Sequence, residues 1–190
     1  NRIVAGLPEV RLVNQYAEQS PVAGIVLVAR PGLVANMTLG AGPTRGIFSK
    51  PGCFGGDVFT VSGGTLYRGP VAVGAVPGVE AVSMDGNELE LMIGNVDGLY
   101  RYNGTSVAAV ATPDGSGVRS VAYMASRFLY VRSNTGKIYW SDILSGAAID
   151  PLSFATAEAM PDPLVAVLLI GDVLWLFGQA SVEFWANTGD

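Results

Sequence analysis

Apolar residues along this chain fall into short runs, punctuated at brief intervals by glycine, proline and asparagine. The runs are rich in β-branched and aromatic side chains, which favour strands. One pattern recurs four times: an apolar strand, a Gly/Asn turn, then a strand carrying an aromatic pair or an aromatic beside arginine. The first copy is Asp57-Val58-Phe59-Thr60-Val61, Gly63-Gly64 and Leu66-Tyr67-Arg68. The second is Leu89-Glu90-Leu91-Met92-Ile93, then 95–98, then Leu99-Tyr100-Arg101-Tyr102. The third is Phe128-Leu129-Tyr130-Val131, Asn134-Thr135-Gly136 and Ile138-Tyr139-Trp140. The fourth is Val173-Leu174-Trp175-Leu176-Phe177, Gly178-Gln179-Ala180 and Val182-Glu183-Phe184-Trp185. Tyr67, Tyr100, Tyr139 and Phe184 take equivalent places, spaced by 33, 39 and 45 residues. A further strand-like run precedes each copy, at 46–48, 79–84, 118–123 and 164–170, and turns such as Asp85-Gly86-Asn87 and Gly171-Asp172 have hairpin chemistry.

Three or four strands per repeat of this length make one propeller blade. The pattern predicts an all-β chain of antiparallel sheets, a β-propeller-like array of about four blade units (a partial propeller). The units are expected near residues 46–75, 79–110, 118–142 and 164–186. Residues 1–23 are expected to form an N-terminal arm or strand, and 24–190 the partial propeller. A β-sandwich or barrel with similar hairpins is the alternative. No long helix is expected; residues 152–160 are the best short helical candidate, stopped by Pro161, with a buried irregular loop as the other reading. Four blades are too few to close most propellers and leave apolar faces and strand edges uncovered. Further blades beyond Asp190, or a second chain, are therefore expected to complete the ring. The missing initiator Met reads as trimming, and Asn187-Thr188-Gly189-Asp190 as a cut inside a longer protein.

Composition sharpens this picture. Hydrophobic residues make up 49% and charged residues 14%, against roughly 25% charged in an ordinary soluble domain. That much apolar surface points to an oligomer or a larger assembly. A membrane span is not expected, because the longest apolar run, Leu164–Ile170, is seven residues and a spanning helix needs about 20. Residues 1–6 carry no secretory signal pattern. Net charge is −5 and the 11 Lys and Arg are scattered, so direct sequence-specific nucleic-acid binding is not expected. Cys53 is the single cysteine and histidine is absent. No internal disulfide, thiolate zinc site or histidine base is available, which is compatible with cytoplasmic folding and lowers the expectation of catalysis.

Local motifs read as structure. Ser133-Asn134-Thr135-Gly136-Lys137-Ile138-Tyr139-Trp140 is similar to the Asp-box of sialidase-like propellers, with the glycine one place early and the aspartate missing. A sialidase would also need converging arginines, for which Arg101, Arg119, Arg127 and Arg132 are the candidates, plus a tyrosine nucleophile and an acid. Tyr139-Trp140-Ser141-Asp142 resembles the repeat of receptor propellers in one unit of four, and its aspartate is expected to fix a turn. Asp85-Gly86-Asn87-Glu88 and Asp97-Gly98 read as turns and not as calcium ligands. The glycine-rich stretches 40–44 and 52–56 lack the Lys-Ser/Thr of a phosphate loop. Cys53 reads as a buried structural thiol, and Trp140, Trp175 and Trp185 as core. Residues 36–43, 112–117 and 145–153 are the exposed loops most suited to partner contact. No catalytic, cofactor-binding or metal-binding residue is nominated.

Several stretches together resemble the packaged-DNA stabilisation, or tail-hub, proteins of short-tailed phages. They are Arg11-Leu12-Val13-Asn14-Gln15-Tyr16, Arg30-Pro31-Gly32-Leu33, and Arg45-Gly46-Ile47 leading into Leu66-Tyr67-Arg68. Phe154-Ala155-Thr156-Ala157-Glu158 with Pro161-Asp162-Pro163-Leu164-Val165-Ala166 is the most specific part. Leu174-Trp175-Leu176-Phe177-Gly178 and Glu183-Phe184-Trp185-Ala186-Asn187-Thr188-Gly189 complete it. Their order along the chain is more specific than any one of them, and they match the N-terminal part of the family's longer chains. The resemblance implies a non-enzymatic virion protein, assembled in the bacterial host cytoplasm and located in the phage tail. It implies attachment below the portal and adaptor after genome packaging, retention of DNA, and a platform for the tail needle and tailspikes. A homo-oligomeric six-fold ring, no cofactor and no membrane contact are implied with it. A glycan-binding or glycan-cleaving β-propeller is the alternative, and an extracellular receptor-type propeller the third reading.

Overall fold

A computed structural model describes residues 15–30, 32, 34–115, 117–158 and 160–186. The resembling residues 11–14, 31, 33 and 187–189, and most of the expected N-terminal arm, lie outside the described residues. The chain divides into two compact units, one ending at Met37 and one starting at Thr38. In the first unit β1 (Gln15–Ser20) and β2 (Gly24–Ala29) pair antiparallel, from Gln15 opposite Ala29 to Ser20 opposite Gly24. The break therefore falls at Met37/Thr38, where the sequence reading placed it after residue 23. Ladder bonds to β1 hold Gly24–Ala29 in the first unit.

The second unit is a series of four antiparallel sheets, each a meander of strands in chain order. Sheet 1 contains β3 (Thr44–Phe48), β4 (Phe59–Ser62), β5 (Thr65–Arg68) and β6 (Val71–Ala75). Sheet 2 contains β7 (Ser83–Gly86), β8 (Leu91–Asn95), β9 (Gly98–Tyr102) and β10 (Val107–Val110). Sheet 3 contains β11 (Val118–Met124), β12 (Arg127–Arg132), β13 (Lys137–Trp140) and β14 (Phe154–Thr156). Sheet 4 contains β15 (Leu164–Ile170), β16 (Val173–Gly178) and β17 (Val182–Ala186). This is the β-propeller-like array of four blades that the repeat predicts.

The helical candidate is corrected. Residues 154–156 form β14, because the open edge of β13 needs a partner and Phe154 packs on Tyr139 with ring centroids 5.5 Å apart. Thr156 and Phe154 face Lys137 and Tyr139 across the ladder.

Three apolar layers separate the sheets. Phe59, Val61, Leu66, Leu91, Ile93 and Tyr102 fill the first, Met92, Leu99, Val118, Phe128, Tyr130 and Tyr139 the second. Val131, Ile138, Leu164, Leu174 and Leu176 fill the third. Alternation along a strand explains why the middle strands look uniformly apolar. In β8, Leu91 and Ile93 point into the first layer while Met92 points into the second. Gly94 lies on the Met92 face, where a Cβ would collide with Val118 and stand 3.0 Å from Val121 Cγ1. Gly94→Ala is therefore expected to cost about 1–3 kcal/mol by overpacking. Urea unfolding would measure it, and an unchanged midpoint would refute the close approach of the two sheets.

First strands of successive sheets are joined directly. Val82 N–H, just before β7, donates to the Arg45 carbonyl at 3.1 Å, and Val121 N–H to Ser83 Oγ at 3.0 Å. Tyr123 N–H donates to Asp85 Oδ2 at 2.7 Å, and Ser120 Oγ to the Val167 carbonyl at 3.3 Å. The first strands thus line the inner edge of the array, where a propeller has its axis.

Candidate interaction surface

Among the described residues no three His, Cys, Asp or Glu side chains gather as a metal site. Several polar side chains of the second unit join its sheets or pin its turns. Arg45 is buried on β3 and donates to four carbonyls: Nε to Glu80 at 2.7 Å, Nη1 to Gly63 at 2.9 Å and Val76 at 2.7 Å, and Nη2 to Pro77 at 3.1 Å. Glu90 is also buried. Its Oε1 accepts from Arg101 Nη2 at 2.5 Å and its Oε2 from Gly146 N–H at 2.7 Å, which draws the 141–153 loop onto sheet 2. The same bond holds the Arg101 guanidinium pKa above its usual value. Asp162 accepts from Ala180 N–H at 2.6 Å and Ser181 Oγ at 2.7 Å, pinning the β16–β17 turn, and these donors hold its carboxyl below the usual range.

The acids read as turns divide. Asn87, Asn95 and Asn103 cap their own turns, each Oδ1 accepting two backbone N–H groups. Asp85 does more than turn the chain, since its carboxylate bridges Tyr123 N–H and Lys50 Nζ, the latter at 2.9 Å. In Tyr139-Trp140-Ser141-Asp142 the turn is fixed by Ser141 and not by the aspartate. The buried Ser141 Oγ accepts from Phe128 N–H at 3.0 Å and donates to the Asp142 carbonyl, while the Asp142 side chain faces solvent. Cys53 is fully buried beside Gly86, and burial, reinforced by Asp85, pushes its thiol up to about 11. It is therefore protonated at neutral pH. The candidate arginines do not converge: Arg101 is held by Glu90 and Arg127 Nη1 by the Ser141 carbonyl at 2.7 Å, leaving Arg119 and Arg132 together in one cleft.

The nominated loops also carry structure. Ser62 Oγ is 2.7 Å from the Leu39 carbonyl and 3.0 Å from that of Gly42, so residues 39–42 lie over the outer face of sheet 1. Asp114 accepts from Tyr139 Oη at 2.6 Å and Lys137 Nζ at 3.1 Å, which holds its carboxyl low. Large apolar side chains are among the residues left free for contact. At the end of the array holding the β7–β8 turn and the 141–153 loop, Leu89, Ile143, Leu144 and Leu152 are each more than half exposed. Leu89 and Leu144 border a pocket with Lys50 and Tyr123.

A further such surface is the face of sheet 4 turned away from sheet 3. Register places Leu168, Trp175 and Phe184 in one row, Phe177 and Val182 in the next, and Ile170 and Val173 in a third. Leu168 is 49% exposed, Ile170 51%, Val182 45% and Phe184 59%, and Phe184 meets Trp175 edge-on at 4.4 Å. Here the sequence alignment of repeats slips by one residue. Tyr139 and Tyr100 face the preceding sheet, but in sheet 4 Trp185 packs against that layer and Phe184 points the other way. A one-residue slip inverts the face of a strand, and two adjacent aromatics conceal it. Trp175, expected in the core, thus lies on an uncovered face, while Trp185 meets the expectation.

Comparison with known proteins follows this geometry. Residues 8–190 match the family described as phage stabilisation, bacteriophage P22 Gp10, β-propeller. The tail hub protein gp10 of Salmonella phage P22 is 29% identical over 144 residues, covering 70% of this chain and 30% of the relative's length. The chain thus spans less than a third of that curated relative. Among solved structures, the computationally designed Ika4 protein superposes with a TM-score of 0.54 over 80% of this chain and 99% of its own, at 13% identity. Virginiamycin B lyase from Staphylococcus aureus gives 0.54 over 92% of this chain and 64% of its own, at 13% identity. At such identities the two structures bear on the fold alone.

Proposed function

Because this chain belongs to the bacteriophage P22 Gp10 β-propeller family of phage-stabilisation proteins, we propose that it is a non-enzymatic, structural part of a phage tail hub. In this reading it sits in the virion tail, below the portal and adaptor, helps retain packaged DNA, and offers a platform for the needle and tailspikes. Copies of the whole protein form a ring, assembled in the host cytoplasm. The observation that carries the reading is the apolar outer face of sheet 4. Lone soluble monomers rarely expose a contiguous apolar face. Each of the three preceding interfaces is closed by another sheet, so the occupant of this face is a further antiparallel sheet with an apolar side. The polar groups favour assembly over catalysis: Arg45, Glu90, Asp85 and Asp162 all make bonds internal to the array. The glycan reading loses support from the separation of Arg101 and Arg127 from Arg119 and Arg132.

Deleting the gene from its phage should leave heads that package DNA and then lose it, with particles that lack needle and tailspikes. Nuclease protection of encapsidated DNA and protein analysis of purified particles would measure both. Fully infectious, complete particles from the deletion strain would overturn the proposal.

A further inference from the structure

Among the described residues, six that are not glycine hold a left-handed backbone, and three of these meet at one place: Ala125 (φ +49), Ser126 (φ +62) and Leu144 (φ +58). A Cβ is crowded in that conformation, which glycine adopts freely. Ala125 and Ser126 form the two-residue turn between β11 and β12, and the Ser126 carbonyl accepts from Leu144 N–H at 2.6 Å. The loop carrying Leu144 is fixed further by Ser145 N–H on the Asp142 carbonyl at 3.4 Å and by Gly146 N–H on Glu90 Oε2 at 2.7 Å. Backbone strain is thus held at a leucine whose side chain is 61% exposed and gains little from burial. Strain of this kind collects at binding and switching sites.

Leu144 borders an open pocket of about 470 Å³ with Lys50, Gly86, Glu88, Leu89 and Tyr123. Sheets 1, 2 and 3 each contribute to this rim, and its most exposed side chains are apolar. Leu89 is 73% exposed, and Ile143, next to Leu144, is 61% exposed. The cations nearby are already engaged. Lys50 Nζ pairs with Asp85 at 2.9 Å, Arg101 pairs with Glu90 at 2.5 Å, and Arg127 Nη1 donates to the Ser141 carbonyl at 2.7 Å. Glu88 and Asp142 are exposed and make no ion pair among the described residues. Residues 138–190 contain no Lys or Arg, so the loop brings acid to the rim and no cation with it.

We propose that this pocket docks another polypeptide through one large apolar side chain flanked by lysine or arginine. The apolar side chain enters between Leu89 and Leu144, and the flanking cations meet Glu88 and Asp142. Such a pairing places an apolar anchor at the centre and charge complementarity at the rim, as protein interfaces do. The pinned loop holds Leu144 in place before the partner arrives, which lowers the ordering cost of binding. A nucleic-acid backbone or an anionic lipid surface fits less well, since both need cations where the rim presents carboxylates. The assignment rests on these residues and not on the tail-hub reading, and its test is independent of that reading.

The test is a titration of the full chain, followed by the Leu89 and Leu144 methyl and Gly146 amide resonances. The probes are acetyl-Lys-Phe-Lys-amide, its Lys-Ser-Lys and Glu-Phe-Glu counterparts, and vesicles of phosphatidylcholine with phosphatidylserine. The Lys-Phe-Lys peptide is expected to shift these signals saturably, with Kd on the order of millimolar, and each counterpart to bind at least fivefold more weakly. Leu144→Gly removes the side chain and suits the left-handed backbone. It should weaken the peptide at least fivefold, read at the Gly146 amide, while the urea midpoint stays the same or rises. Glu88→Gln with Asp142→Asn should abolish the preference for Lys-Phe-Lys over Glu-Phe-Glu and leave folding unchanged. No saturable shift with Lys-Phe-Lys, or unchanged binding by Leu144→Gly, would overturn the proposal. Equal binding of Glu-Phe-Glu, or tighter binding of the vesicles, would overturn the choice of partner. So would self-association of the peptide-free chain that Leu144→Gly abolishes in sedimentation, since a second copy would then be the occupant.

Discussion

Arg45→Met is expected to lower the stability of the four-sheet unit by about 3–5 kcal/mol, while Arg68→Met lowers it by about 1 kcal/mol or less. The two arginines lie on β3 and β5 of sheet 1, either side of β4, and differ in what surrounds them. Arg45 is buried and satisfies four carbonyls spread over the β4–β5 turn and the 76–80 segment that leads to sheet 2. Methionine fills similar volume but leaves those carbonyls without donors, in a site closed to water. Arg68 donates to Asp57 at 2.6 Å, with both side chains more than a third exposed. Water can replace that bond. Arg45→Lys should recover little, because one ammonium with three donors cannot span the carbonyls that a planar five-donor fork reaches. Urea unfolding followed by tryptophan fluorescence measures all three variants, and an Arg45→Met midpoint matching that of Arg68→Met would refute the account.

That contrast marks what the sequence discloses. Strand pairing is legible because period-two alternation and Gly/Asn turns are local: the two strands of each repeat pair as antiparallel neighbours, β4 with β5, β8 with β9, β12 with β13 and β16 with β17. The linking side chains are not legible, because their partners lie far along the chain. Glu90 holds Gly146, 56 residues away, and Arg45 holds Glu80, 35 away. Arg45-Gly46 and Pro161-Asp162-Pro163 stand out only as parts of stretches that resemble the family, and nothing local says that one guanidinium bridges to the next sheet or that one carboxylate pins a turn. The slip at Phe184 and Trp185 has another cause. Both residues are apolar, so alternation carries no sign there, and only packing on Leu174 and Leu176 decides which one faces inward. The missed β14 likewise depends on an edge that exists only once β13 is in place.

Charging the outer face of sheet 4 should separate association from folding. Phe184→Glu combined with Leu168→Glu is expected to raise the Kd of any self-association of the full chain at least tenfold, equivalent to about 1.4 kcal/mol. The same pair should change the unfolding free energy by no more than about 1 kcal/mol. Both side chains are about half exposed already, so a carboxylate there keeps its water, whereas against another apolar sheet it would be stripped of it. Leu174→Ala on the opposite face of the same sheet should behave in reverse. Leu174 is 2% exposed and packs between sheets 3 and 4, and its truncation should cost about 2–5 kcal/mol through lost burial and a cavity. It leaves the outer face as it was, and with it the self-association. Sedimentation velocity over a concentration series reads the first effect and urea unfolding the second. If the glutamate pair unfolded the chain as readily as Leu174→Ala, the outer face would have to be covered from within the chain. A covered face of that kind could not serve as an assembly surface.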